Sequence, residues 1–156
     1  MKLGVICDGI SRDLRHALKV MDEFGLDYAE LQFVWDKEVG DHDASEIAQI
    51  KKLLDTHNKP VSCLSRHIFA GLTTASKAGD KDHTRHMDYL KCVIEMAHQL
   101  NCPLVRIMTS KKEQILWGTN GAEHWNVAKG AWDTLPPLIA PAVDLARTEG
   151  VTCLLY

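Results

Sequence analysis

A hydrophobic period that switches back and forth along the chain restricts its folding more than any other feature. Five short apolar runs recur: KLGVIC (Lys2–Cys7), YAELQFV (Tyr28–Val34), PVSCLS (Pro60–Ser65), PLVRIM (Pro103–Met108) and VTCLLY (Val151–Tyr156). Each is rich in β-branched, Leu, Cys or aromatic residues beside turn chemistry, which predicts a strand. Between them apolar residues return every three or four positions, the spacing of one helix face. Leu14, Ala17, Leu18, Met21 and Phe24 stripe a first helix from near Ser11 to a stop at Gly25. Ile47, Ile50, Leu53 and Leu54 stripe a second, opened by a capping box from Asp43 to Glu46 and stopped at Asn58. Met87, Leu90, Ile94 and Ala97 mark a third. Leu135, Leu138, Ile139, Val143 and Ala146 mark a fourth, with Pro136 and Pro137 expected in its first turn and Pro141 as a kink.

Strands joined by helices cross over in one direction, so the pattern predicts an α/β fold with a parallel sheet. Two architectures accept it. An open, five-stranded, doubly wound sheet closes in about 150 residues, whereas a (βα)8 barrel takes about 250. On the second reading the chain, taken as one domain over residues 1–156, carries only the first five βα units. Doubly wound nucleotide binders place a glycine-rich phosphate turn after the first strand. Here that turn is CDGISRD, with one glycine and neither GxGxxG nor a P-loop. The third strand ends Ser65-Arg66-His67, without the Asp of a phospho-acceptor receiver. Local pattern favours the barrel; length favours the open sheet.

Composition narrows the function classes. Net charge is −3, with scattered basic residues, so no electrostatic footprint for nucleic acid is present. No apolar run approaches the roughly 20 residues of a membrane span. The five cysteines form no CxxC pair, and an odd count without zinc-like spacing points to free thiols and a cytoplasmic location.

The order of four phrases carries a resemblance. GLDYAELQF, PVSCLSRHIF, LKCVIEMAHQLNCPLVRIM and LPPLIAPAVDLARTEGVTCLLY together resemble the xylose isomerase-like TIM barrels. That family includes sugar and sugar-phosphate isomerases and epimerases, inosose dehydratases and, more distantly, endonuclease IV. Gly25 to Leu31 fits its G-x-D-x-x-E-L phrase at the second strand, and His67 fits a histidine after the third. The resemblance implies a small sugar or sugar-phosphate substrate and metal-assisted proton transfer next to a carbonyl. It also implies a divalent cation (Mg, Mn, Co or Zn) held by residues from the end of the fifth strand onward. On that reading the chain is the N-terminal part of such a barrel, lacks the ligands itself, and is inactive alone. The alternatives are a non-catalytic binding or assembly module, associating as a homo-oligomer or through open sheet edges, and an endonuclease IV-like phosphodiesterase.

By position and resemblance, His67 and Glu30 are the candidate catalytic residues, and Arg106, Asp8 and Trp35 the candidate substrate-binding ones. His67 can polarise a substrate carbonyl or hydroxyl or contribute to a metal site. Glu30 stands among apolar strand residues, where an unpaired carboxylate is costly. It needs a partner, and Arg106 on the fourth strand can supply one, as a structural pair or as support for His67. Asp8 ends the first strand but is also an ordinary turn acid. Trp35 can wall the apolar face of a sugar or pack as core. The loop holding Trp117, His124 and Trp125 can be a lid or a contact. GDHDASE and KDHTRHMD resemble metal motifs, but a helix cap and a helix start explain them better. His16, His57 and His98 are treated as surface residues.

Overall fold

The computed structural model describes residues 1–73, 75–109 and 131–155. Five strands form one parallel sheet: β1 (Gly4–Ile6), β2 (Tyr28–Leu31), β5 (Val61–Ser65), β6 (Leu104–Ile107) and β7 (Thr152–Leu155). The helices α1 (Leu14–Glu23), α2 (Ala44–Thr56), α3 (Lys81–Gln99) and α4 (Ala131–Thr148) lie between successive sheet strands. A small antiparallel hairpin, β3 (Phe33–Val34) and β4 (Lys37–Glu38), follows β2.

The spatial order of the sheet is β1-β2-β5-β6-β7, the order of the sequence. Crossovers between parallel strands are right-handed in nearly all proteins, so a sheet built by steps in one direction receives every helix on the same face. A doubly wound sheet needs a reversal of strand order, and none occurs among these strands. The architecture is therefore the barrel type, an arc of five strands with the four described helices between them. Burial agrees: Ala29, Leu31, Leu64, Val105 and Ile107 share one core with the stripes of α1, α2 and α3, while Ile6, Cys63 and Leu154 stand outside it. Strand alternation thus separates a helix-covered face from an inner one.

Each described helix ends in the same way. A residue in the left-handed region follows the helix (Gly25, Asn58, Asn101 or Gly150), with φ between 52° and 69°. The next N–H then bonds back five residues: Leu26 to Met21, Lys59 to Leu54, Cys102 to Ala97, and Val151 to Ala146. These Schellman-type closures satisfy terminal carbonyls and aim the chain into the next strand. At the other ends, Asp13 caps α1, Asp43 and Glu46 form the capping box of α2, and Asp80 caps α3.

Two elements differ from expectation. The second predicted strand, Tyr28–Val34, leaves the sheet after Leu31, because Phe33 and Val34 pair with Glu38 and Lys37 instead. The fourth helix begins at Ala131, so Pro136 and Pro137 lie inside it rather than in its first turn. Both prolines are exposed, and the buried face runs through Leu138, Ala142 and Ala146, leaving Val143 outside. The loop with Trp117, His124 and Trp125 lies outside the described residues.

Candidate active site

Parallel register brings polar residues of three neighbouring strands together on the inner face. Glu30 pairs with Cys63, and Ser65 with Arg106. The Ser65 hydroxyl donates to Glu30 Oε1, and Arg106 Nη1 lies 3.5 Å from the same oxygen. Ser65 is fully buried, whereas Glu30 and Arg106 keep about a quarter and a sixth of their side-chain surface open. Glu30 therefore has the partner its position demands, and the group still faces the concave side of the arc.

A second cluster stands just beyond, at the C-terminal ends of β2 and β5. His67 Nδ1 is 2.7 Å from Glu38 Oε1, which also accepts the His67 backbone N–H at 3.0 Å. Gln32 Nε2 lies over the His67 ring, 3.1 Å from Nε2 and 3.4 Å from Nδ1. Glu38 Oε2 approaches Arg66 Nε at 3.6 Å. Arg66 is itself fixed: Nη1 donates to Val39 O at 2.6 Å and to Asp41 at 2.8 Å, Nη2 to Asp41 at 3.1 Å, and the guanidinium lies over the Tyr89 ring. The hairpin that carries Glu38 is thereby tied to the strand that carries His67.

The sequence-predicted residues divide between these clusters and the surrounding frame. Glu30 and Arg106 meet, as their strand positions suggested. Glu38 is the carboxylate that contacts His67, a neighbour the sequence did not suggest. Asp8 lies in a short 3-10 turn (Cys7–Gly9) after β1 and accepts the Phe33 N–H at 3.3 Å. Trp35 occupies the two-residue hairpin turn at φ 55°, packs partly against the core and faces the His42 ring at 6.0 Å. Glu38, Gln32 and Ser65 were missed. Alternation through β2 from Glu30 to Gln32 was a usable signal for Gln32; Glu38 became visible only with the hairpin.

The histidines of the metal-like phrases have other partners. His42 Nε2 lies 3.1 Å from Val34 O, and Asp41 pairs with Arg66. His83 Nε2 lies 2.9 Å from Leu138 O, and His86 Nδ1 accepts the Phe69 N–H at 3.1 Å. Burial raises Cys63 to about 11. Burial, followed by the charges of Asp8 and Glu30, raises Cys7 to about 12. Neither offers a thiolate near neutrality.

Among the described residues no three His, Cys, Asp or Glu side chains converge as metal ligands. Of the described His, Cys, Asp and Glu side chains at the rim, Glu38 and His67 meet, and both Glu38 oxygens are engaged. These residues do not fit a divalent ion on their own.

A one-sided arc of βα units with polar groups on its inner face and at its C-terminal rim defines the barrel class of α/β folds, which build their sites at that rim. The chain belongs to the xylose isomerase-like TIM barrel family, whose model matches residues 18–155. It is similar to a xylose isomerase-like TIM barrel protein from Mycobacterium smegmatis solved in complex with magnesium, at 18% identity and TM-score 0.56, over 90% of this chain and 45% of that one. It is also similar to a D-allulose 3-epimerase from Methylomonas sp. in complex with D-allulose, at 14% identity and TM-score 0.61, over 99% and 50%. An AP endonuclease, family 2, from Brucella melitensis matches at 14% identity and TM-score 0.61, over 99% and 55%. The chain spans about half the length of these structures. No curated protein sequence matches it. No helix among the described residues is long and apolar enough to cross a membrane.

Proposed function

We propose that residues 1–156 form a single domain, the N-terminal portion of a sugar or sugar-phosphate isomerase or epimerase, and that its inner face binds the substrate. The supporting observation is the Glu30–Ser65–Arg106 group on the helix-free face, directly below the Glu38–His67 pair at the C-terminal rim. A ketose is a row of hydroxyls flanking a carbonyl. Carboxylate, guanidinium, hydroxyl and imidazole groups set on adjacent strands can each take one polar atom of it, and the rigid sheet fixes their spacing. The Arg106 guanidinium also suits the phosphate of a sugar phosphate.

The reaction class is proton transfer next to the carbonyl. The described residues orient and hydrogen-bond the substrate, but they gather no ligand set for a divalent ion. We therefore expect the 156-residue chain to bind ketoses weakly without converting them. Calorimetric titration with D-fructose and D-allulose, beside a turnover assay with added Mg or Mn, tests both halves. Binding lost on Glu30→Gln and His67→Ala supports the reading; no binding by the folded chain contradicts it.

A second reading rests on a different observation. Leu3, Leu154 and Leu155, at the two outer strands of the described sheet, are 50%, 39% and 58% exposed. Outer strand edges with apolar side chains invite pairing. We propose that copies of the chain associate there.

A further inference from the structure

The carboxylate beside one nitrogen of His67 dictates where the ring hydrogen sits. Glu38 Oε1, a carboxylate oxygen that can only accept, lies 2.7 Å from Nδ1. Nδ1 therefore carries the hydrogen. A neutral imidazole carries one ring hydrogen, so Nε2 carries the lone pair. Gln32 Nε2 lies 3.1 Å from the ring Nε2 and 3.4 Å from Nδ1, over the ring, and favours neither tautomer. We infer that Glu38 is a positioning residue that holds His67 in the Nδ1–H form, so that Nε2 meets a ligand as the acceptor of a hydroxyl proton rather than as a donor to a carbonyl.

Glu38 is well placed for this. It grips the histidine twice, through the ring and through the backbone N–H. Its other oxygen faces Arg66, and Arg66 is pinned by Val39, Asp41 and Tyr89. The carboxylate cannot swing away without breaking that chain of contacts. The His67 side chain is about half exposed, so the ring still reaches what enters the mouth. Of the roles open to His67 from the sequence, polarising a carbonyl by donation from Nε2 does not fit this tautomer, whereas acting on a hydroxyl or contributing a lone pair to a metal site does. The nature of that ligand rests on the proposed sugar site, whereas the tautomer does not.

The test is a two-bond 1H–15N correlation on chain labelled at histidine nitrogen, recorded over a pH series so that the neutral ring is observed. His67→Gln identifies the His67 signals among those of the other histidines. The expected result is a pyrrole-type shift at Nδ1 and a pyridine-type shift at Nε2. A pyrrole-type Nε2, or an even mixture, overturns the inference. Glu38→Ala and Glu38→Gln should each raise the Nε2–H population severalfold in whichever variant keeps the native circular dichroism. An unchanged tautomer in a folded variant removes the role of Glu38. Titration with D-fructose then separates the two claims. If the tautomer is as assigned and the Nε2 resonance does not move, the sugar reading fails and the positioning role stands.

Discussion

Glu30 sits between Ala29 and Leu31, both with no exposed surface, yet it bears a charge. Strand alternation resolves this, turning the carboxylate to the inner face where Ser65 and Arg106 satisfy it. Arg106→Leu leaves the carboxylate half-buried with one neutral donor. We expect a loss of about 1–3 kcal/mol in urea unfolding, with Glu30→Gln/Arg106→Leu less destabilised than the single change. Equal losses in both would show that the pair is not coupled. His86 gives a pH prediction. Burial, followed by the charge of Arg85, lowers its pKa below the usual 6.5. On acidification the unfolded chain takes up the proton first. The stabilisation is therefore complete above 6.5 and is lost as pH falls from there through the lower folded value. Thermal melts on either side of 6.5 should show a loss that His86→Gln flattens, since glutamine can still accept from Phe69. Identical slopes would contradict it. The Glu30–Arg106 ion pair on the sheet was legible from alternation alone. Glu38 was not, because its contact with His67 depends on a turn whose first residue, Trp35, adopts φ 55°. Tight hairpins are read from Asn-Gly or Asp-Gly, and Trp-Asp carries no such signal.

At the scale of elements, helix ends were the most legible part. The capping box of α2 was written as Asp43 to Glu46, and both reciprocal bonds form. Asp43→Ala should cost about 1 kcal/mol by chemical denaturation. The β3–β4 hairpin is the element the sequence concealed, because YAELQFV reads as one continuous strand. It is fastened by Lys37, whose Nζ lies 2.7 Å from Glu46, by Arg66, and by the close approach of Gly40 to α3. Gly40 has φ 92°, and a Cβ there would lie 2.9 Å from Val93 Cγ2 and 3.1 Å from Val93 N. Gly40→Ala should therefore destabilise by about 2 kcal/mol or more, from strain and clash together. It should also weaken the hold of Glu38 on His67, which the same histidine correlation would register. A folded Gly40→Ala variant of unchanged stability would contradict the docking described. The α4 boundary was misread for a related reason: prolines were taken to mark its first turn, but a helix with a buried face through Leu138, Ala142 and Ala146 tolerates them on its exposed side.

For the molecule as a whole, the alternation of periods predicted a parallel α/β sheet, but not which of two architectures. The order of strands decides that, since four sequential steps in one direction put the helices on one face. Composition and periodicity are nearly the same for either outcome, which is why only the order of the motifs pointed toward the barrel family. Association of copies is checked by light scattering. Dimers or larger species that dissociate on Leu154→Lys with Leu155→Lys support pairing at the outer strand. A monomeric wild-type chain contradicts it.

The central claim is that the helix-free face and its C-terminal rim form a sugar-binding surface. Amide chemical-shift mapping of the 15N-labelled chain titrated with D-allulose tests it most directly. The account predicts perturbations clustered at Glu30, Gln32, Ser65, His67 and Arg106. Perturbations absent there, or confined to the opposite end around Lys2, Tyr28 and Lys59, would contradict it.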